Sequence, residues 1–287
     1  MRIIIYLLVL VFPATIWAQG RFDDVEITAT KISDGLYMLQ GSGGNMGISI
    51  GEDGVFLIDD QYAPLTDKIL AAIKKLSDKE IHFVFNTHYH DDHTGGNENL
   101  GKMNIDIAAH DKVYERLHSQ NVPKEALPII SFNDEMTFHM NGLTIRTRFY
   151  PNAHTESDSV IYFEGRNVIH TGDLFEQSGY PYIDIEAGGS FIGMINAVDN
   201  VLISIDDQTI IIPGHGSLSN KAELENYNMV LKKIYDELTP LADKGLSIED
   251  VIKLPLLNEY KDSWGKGDIR GETFLKFAYN SILKERK

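Results

Sequence analysis

The alternation of apolar and polar residues predicts strands at the start of the chain. In ITATKISDGLYMLQG (27–41) and MGISIGEDGVFLIDD (46–60), β-branched and aromatic residues alternate with polar ones, and Asp34-Gly35 and Asp53-Gly54 supply the turns of a β-meander. The period then changes. PLTDKILAAIKKLS sets Ile69, Leu70, Ile73 and Leu76 on one stripe, the spacing of an amphipathic helix, and IHFVFNT reads as a short, continuously apolar strand. A second set follows: strand IDIAAH, helix DKVYERLHSQ, the hairpin EMTFHMNGLTIRTRFYPN turning at Asn141-Gly142, and the strand pair SVIYFEGRNVIHTGD turning near Gly165. Helix SFIGMINAVDNVLISI, strand QTIIIPGHG and the long helix NKAELENYNMVLKKIYDELTPLADKG come next, and SIEDVIKLPLL and ETFLKFAYNSILKERK are expected to close the chain as helices. Two comparable sets of strands and helices predict an α/β protein of two sheets packed face to face with helices outside. No Pro- or Ser-rich linker divides residues 19–287, which read as a single domain.

The first 18 residues stand apart. One cation, Arg2, precedes an apolar run from Ile3 to Phe12, broken by Pro13 and ending near the small residue Ala18. The run is shorter than the ~20 apolar residues of a membrane span and reads as a secretory signal peptide over 1–18. An exported protein, periplasmic or secreted and without stable membrane insertion, is therefore expected. Removing the segment takes away Arg2 and no carboxylate, so the formal charge moves from -16 to -17. An acidic surface without a basic stripe disfavours nucleic acid and other polyanions. Cysteine is absent, so an exported chain of this kind relies on packing and metal rather than on disulfides.

The loop after IHFVFN carries the chemistry. In His88-Tyr89-His90-Asp91-Asp92-His93, the imidazoles of His88 and His90 stand two apart on an extended segment and point the same way. They can converge on one cation, with Asp92 and His93 facing a second. Imidazole and carboxylate without thiolate suit zinc, with manganese or iron as alternatives. His154 in YPNAHTESD, Asp173 in VIHTGDLF and His215 in IIPGHGS sit at further strand-to-loop junctions. The tally is one metal on His88, His90 and His154, a second on Asp92, His93 and His215, and Asp173 between them. Two such cations lower the pKa of a shared water toward neutrality, the chemistry of a hydrolase.

This order of motifs, His-x-His-x-Asp-His, a lone His, Thr-Gly-Asp and Pro-Gly-His, resembles the metallo-beta-lactamase superfamily over most of the chain. The resemblance implies a four-layer αββα sandwich with the metals at one edge of the two sheets, and carries the ligand roles to the same seven residues. Asp91 is not a ligand in that pattern. Asp59, closing VFLIDD, matches a carboxylate that orients a ligand imidazole. Many zinc β-lactamases place a Cys where this chain has Asp173, so the Asp resembles the glyoxalase II and lactonase branches instead. The segment GYPYIDIEAGGSFIGMINAV resembles a broad group of exported members.

Around these residues, Asn97 is expected as a helix cap or a substrate contact, and Tyr180 and Tyr182 as walls of the substrate pocket. Gly95-Gly96 is expected to open a helix with N–H groups free for an anion. Asp111 is expected as an N-cap after a structural His110, and His170 as either a ligand support or a packed residue. The chain is thus expected to be an exported dinuclear zinc hydrolase for a small-molecule amide or ester carbonyl of β-lactam or lactone type. In it Asp92 orients the nucleophile and shuttles its proton. A glyoxalase II-like thioester hydrolase and a non-catalytic metal-dependent binding protein are the alternatives.

Overall fold

The computed structural model describes residues 20–177 and 179–286, so the expected signal peptide lies outside the described residues. Strands β1 (Thr28–Ser33), β2 (Leu36–Gln40), β3 (Met46–Gly51) and β4 (Gly54–Ile58) form the antiparallel meander, with Gly35 and Gly54 taking the positive φ of its turns. Helix α1 (Thr66–Leu76) leads to β5 (Ile81–Asn86); the histidine run starts in the loop after it and ends on a single helical turn, α2 (Asp91–Thr94), followed by α3 (Asn97–Lys102). Next come β6 (Asp106–His110), α4 (Asp111–Ser119) and β7 (Ile130–Phe132). The second sheet starts with β8 (Glu135–Met140) and β9 (Leu143–Phe149), joined by Asn141 and Gly142 at φ 57° and 68°. Both residues are left-handed, which the two-residue hairpin turn requires. Then follow β10 (Ser159–Glu164), β11 (Val168–His170), α5 (Phe191–Ser204), β12 (Ile210–Ile212), β13 (Ser219–Asn220), α6 (Lys221–Asp243), α7 (Ile248–Val251) and α8 (Gly271–Lys284).

Among the described residues the strands make a seven-stranded sheet, ordered β1 through β7, and a six-stranded sheet, β13-β12-β11-β10-β9-β8. Strand alternation sorts the core into layers. Phe56 and Ile58 of β4 meet Ile161 and Phe163 of β10 between the sheets, in a cluster with Phe85, Ala108, Ile145 and Ile212. Their neighbours Val55 and Leu57 point the other way, onto Ile69 and Ile73 of α1. On the second sheet, Val160 and Tyr162 turn outward to Met194, Leu231 and Phe274 of α5, α6 and α8. Helices, sheet, sheet, helices is the four-layer αββα order expected from the sequence.

Three local expectations are corrected. SIEDVIKLPLL is helical only over Ile248–Val251, because Pro255 cannot continue a helix and pushes its predecessor out of the α region. Ile130–Phe132 adds an edge strand that the pattern did not suggest, paired parallel to β6. At α4 the N-cap is His110, whose Nδ1 accepts from Lys112 N–H at 3.1 Å, and Asp111 is the first helical residue.

Candidate metal centre

Pairing direction decides where the functional loops emerge. β4, β5 and β6 run parallel to one another, and β9 and β11 both run antiparallel to β10, with β12 parallel to β11. The segments that follow β4, β5, β9, β11 and β12 therefore leave the sandwich at one edge. There His88, His90, His154 and Asp173 bring one ligand atom each within 4.8 Å of one another, and Asp92, His93 and His215 form a second group by the same measure.

The hydrogen-bond network assigns the imidazole tautomers. His154 Nδ1–H donates to the Tyr182 carbonyl at 2.8 Å, which leaves Nε2 as a lone pair. Thr87 Oγ1–H donates to Asp59 Oδ2 at 2.9 Å, so the 3.0 Å contact to His88 Nδ1 makes that nitrogen the donor and Nε2 the lone pair. His90 Nε2–H faces Asp184 Oδ2 at 3.0 Å, and its Nδ1 turns inward. His90 Nδ1 then lies 3.0 Å from His88 Nε2 and 3.0 Å from His154 Nε2. Three lone pairs converge with no proton among them, an arrangement that a cation satisfies.

The second group has the same logic. His93 Nδ1–H donates to Asp59 Oδ2 at 2.7 Å, and His93 Nε2 lies 3.1 Å from Asp173 Oδ1, yet neither of those two buried atoms has a hydrogen-bond partner. Buried polar atoms are normally paired, and a cation between these two would satisfy both. His215 Nε2 is 3.3 Å from Asp92 Oδ2 and 3.5 Å from Asp173 Oδ2, which is also 3.5 Å from His154 Nε2. Asp173 thus reaches both groups. Burial lowers the pKa of His88, and of His154 to about 4, keeping both neutral as metal ligation demands. In His93 burial also opposes charge but is outweighed by the carboxylates of Asp173, Asp92 and Asp59, which raise its pKa. Burial opposes ionisation of Asp92, while His93 and His215 hold its carboxyl at about 2.

The supporting backbone is tight. Asp59, fully buried at φ 60°, accepts Thr87 N–H at 2.8 Å as well as the Thr87 hydroxyl and His93, so one carboxylate fixes a ligand in each group. Gly44 in the β2–β3 loop lies flat on His93: a Cβ there would stand 2.1 Å from Cε1 of the ring.

Several expected residues fall elsewhere. Tyr180 is buried behind the site, stacked on Phe274 and edge-on to Trp264, so it does not line a pocket. Asn97 is fully buried and donates to Asn86 Oδ1 and the Ala126 carbonyl, which corrects both its proposed capping and its substrate contact. The Gly96 N–H is taken by Asp60 Oδ1 at 2.8 Å and is not free for an anion. His170 is packed, its Nε2 on the Asn45 carbonyl. Tyr182, half-buried, lies with its ring 5.6 Å from His90 and 5.8 Å from His154 and is backed by Phe277 of α8. Sequence reasoning missed Thr87, Tyr89 and Asp184. Asp184 accepts from both Tyr89 and His90; burial opposes its ionisation, but these bonds hold its pKa below the usual carboxylate range.

Fold and site together define an αββα sandwich with a His/Asp cluster at one edge that could hold metal ions. The chain belongs to the metallo-beta-lactamase superfamily, whose family model matches residues 41–215. It is 28% identical over 190 residues to a hydroxyacylglutathione hydrolase of Dictyostelium discoideum, a match covering 60% of this chain and 64% of that protein, under two thirds of its length. It is 24% identical over 174 residues to a metallo-beta-lactamase type 2 of Bacillus cereus, covering 60% and 66%. A metallo-beta-lactamase from Pontibacter korlensis superposes with a TM-score of 0.64 at 19% identity, over 72% of this chain and 99% of that one, a likeness of fold.

Proposed function

We propose that the chain, read as one hydrolase domain after export, is a dinuclear zinc enzyme that cleaves an ester- or amide-type carbonyl of a small molecule, a lactone or β-lactam. The observation that carries this reading is the inward convergence of unprotonated nitrogens beside the orphaned His93 Nε2 and Asp173 Oδ1. His88, His90 and His154 would hold one ion, Asp92, His93 and His215 the other, with Asp173 between. When bound, the ions supply Lewis acidity and a water whose pKa is lowered toward neutrality.

The protein's own part follows from position. Asp92 is partly exposed, at 21% of its side chain, whereas His93 beside it is fully buried. Its carboxylate can therefore face both the ligand set and the substrate side, where it orients the attacking water and accepts its proton. Tyr182 gives the pocket an aromatic wall, held from behind by Phe277. Asp59 and Thr87 keep the imidazoles from turning as charge develops. Thioester cleavage is the second reading, favoured by Asp173 in place of a cysteine and by the likeness to a hydroxyacylglutathione hydrolase.

Protein purified without chelator, analysed for metals and assayed on nitrocefin, a lactone and a thioester tests this. About two zinc ions per chain with turnover of nitrocefin or the lactone is expected, and turnover of the thioester alone selects the second reading. A chain that takes up no metal and hydrolyses none of the three overturns both. Recovery of a chain beginning near Gln19 from the periplasm or medium tests export.

A further inference from the structure

Tyr89, like the exposed Asp91, is a residue of the histidine run that metal ligation leaves without a role. It stands between two ligands in the loop between β5 and α2, and its phenol donates to Asp184 Oδ2, the oxygen that His90 Nε2 also meets at 3.0 Å. Asp184 is fixed independently of these two donors. Its Oδ1 accepts from Ala187 N–H at 3.0 Å, its own N–H donates to the His154 carbonyl at 2.9 Å, and its carbonyl accepts from Gly189 N–H at 2.7 Å. One residue thus grips the side chain of His90 and the backbone of His154. Behind Tyr89, the Arg116 guanidinium lies 5.4 Å from the ring centroid and pairs with Glu156, two residues beyond His154. The contacts form a closed ring around one half of the centre, and no part of it comes from the segment that carries Asp59.

We propose that Asp184, with Tyr89 as its second donor, is the positioning residue of the His88, His90 and His154 half of the centre: it keeps His90 turned with Nδ1 inward and so sets how tightly that half holds its ion. Asp59 has the corresponding place for His93. This inference rests on the metal-centre reading above. A carboxylate that accepts the outer N–H of a ligand imidazole fixes its tautomer and ring plane and raises its basicity, and its loss typically weakens metal binding about 10- to 100-fold. The selectivity for one ion of two is what separates this role from general support of the fold.

Zinc-loaded wild type, D184A and D184N are to be titrated with a chromophoric chelator, with melting of the metal-free forms as the check on folding. In D184A one of the two ions should be released about 10- to 100-fold more readily while the other is held as in wild type. In cobalt-loaded D184A the visible bands of a single ion should shift. D184N, whose amide oxygen still accepts from His90 and Tyr89, should loosen the same ion by a smaller factor. If D184A does not fold, D184N decides: selective loosening of one ion supports the inference, and wild-type retention of both overturns it. Equal loosening of both ions in D184A also overturns it. Wild type that binds two ions alongside an unaltered D184A sinks this inference alone, whereas wild type that binds none sinks the metal centre and this inference with it.

Discussion

Asp92 and His93 are adjacent in sequence and opposite in situation. The imidazole is sealed between Asp59 and Gly44, while the carboxylate keeps an exposed edge beside His215. Asp92→Asn preserves shape and removes the charge that accepts a proton. Turnover should fall about 10²- to 10⁴-fold, the usual range for a lost acid–base group, with KM changed far less. Metal content must be measured on the same sample; a kcat within a few-fold of wild type at full metal loading would show that Asp92 has no such role. Why this residue and its six partners were legible in the sequence is physical: four fall within six positions, and the others follow β-rich runs into turns. Asp184 was not legible, because it meets His90 across 94 residues of sequence and its own surroundings, IDIEAGG, announce only a turn.

At the scale of elements, the central strands were readable because they have one face between the sheets and one against helices, as Phe56 and Leu57 show, and β8 because it alternates half-buried and exposed positions. Ile130–Phe132 escaped because three residues are too short for a period and its pairing to β6 is a tertiary fact. Loops are where packing sets the demand. Gly44→Ala should push against His93, which Asp59 holds in place, and lower metal occupancy of the Asp92, His93 and His215 group; elemental analysis showing a full complement would refute the clash. Gly142→Ala meets nothing within 4 Å but sits at φ 68°, so it should cost about 1 kcal/mol of stability and leave metal binding unchanged. The turn after His154 depends on Asp158, which accepts Thr155 N–H and Oγ1–H at 2.8 and 2.7 Å. Burial pushes its carboxyl up to about 7 against those bonds. Because the folded pKa lies above the unfolded one, the unfolded chain binds fewer protons between about pH 4 and 7, and this group's contribution to stability falls as pH rises through that window. In metal-free protein, the Tm advantage of wild type over Asp158→Asn should therefore shrink from pH 4 to pH 7; a constant difference would place the Asp158 pKa in the ordinary range.

At the scale of the whole molecule, the seven ligands divide by sheet. His88, His90, Asp92 and His93 leave the first sheet after β5, and His154, Asp173 and His215 leave the second after β9, β11 and β12. Each proposed ion draws on both: His154 joins His88 and His90, and His215 joins Asp92 and His93. The ions would therefore clamp one edge of the sandwich in a chain with no cysteine to do so. A ligand that binds only the folded state at about 1,000 times its Kd adds about 4 kcal/mol, and in a chain of this size each kcal/mol moves Tm by about 2–4 °C. Dialysis against a chelator should lower Tm by about 10 °C or more, and zinc should restore it. The clamp also makes the loss cooperative across the two sheets, so tryptophan fluorescence at Trp264, packed behind the Asp173 loop, should report the same shift as circular dichroism of the strands. A metal-free protein that melts where the loaded one does would mean that packing alone holds this edge and that the ions serve chemistry only.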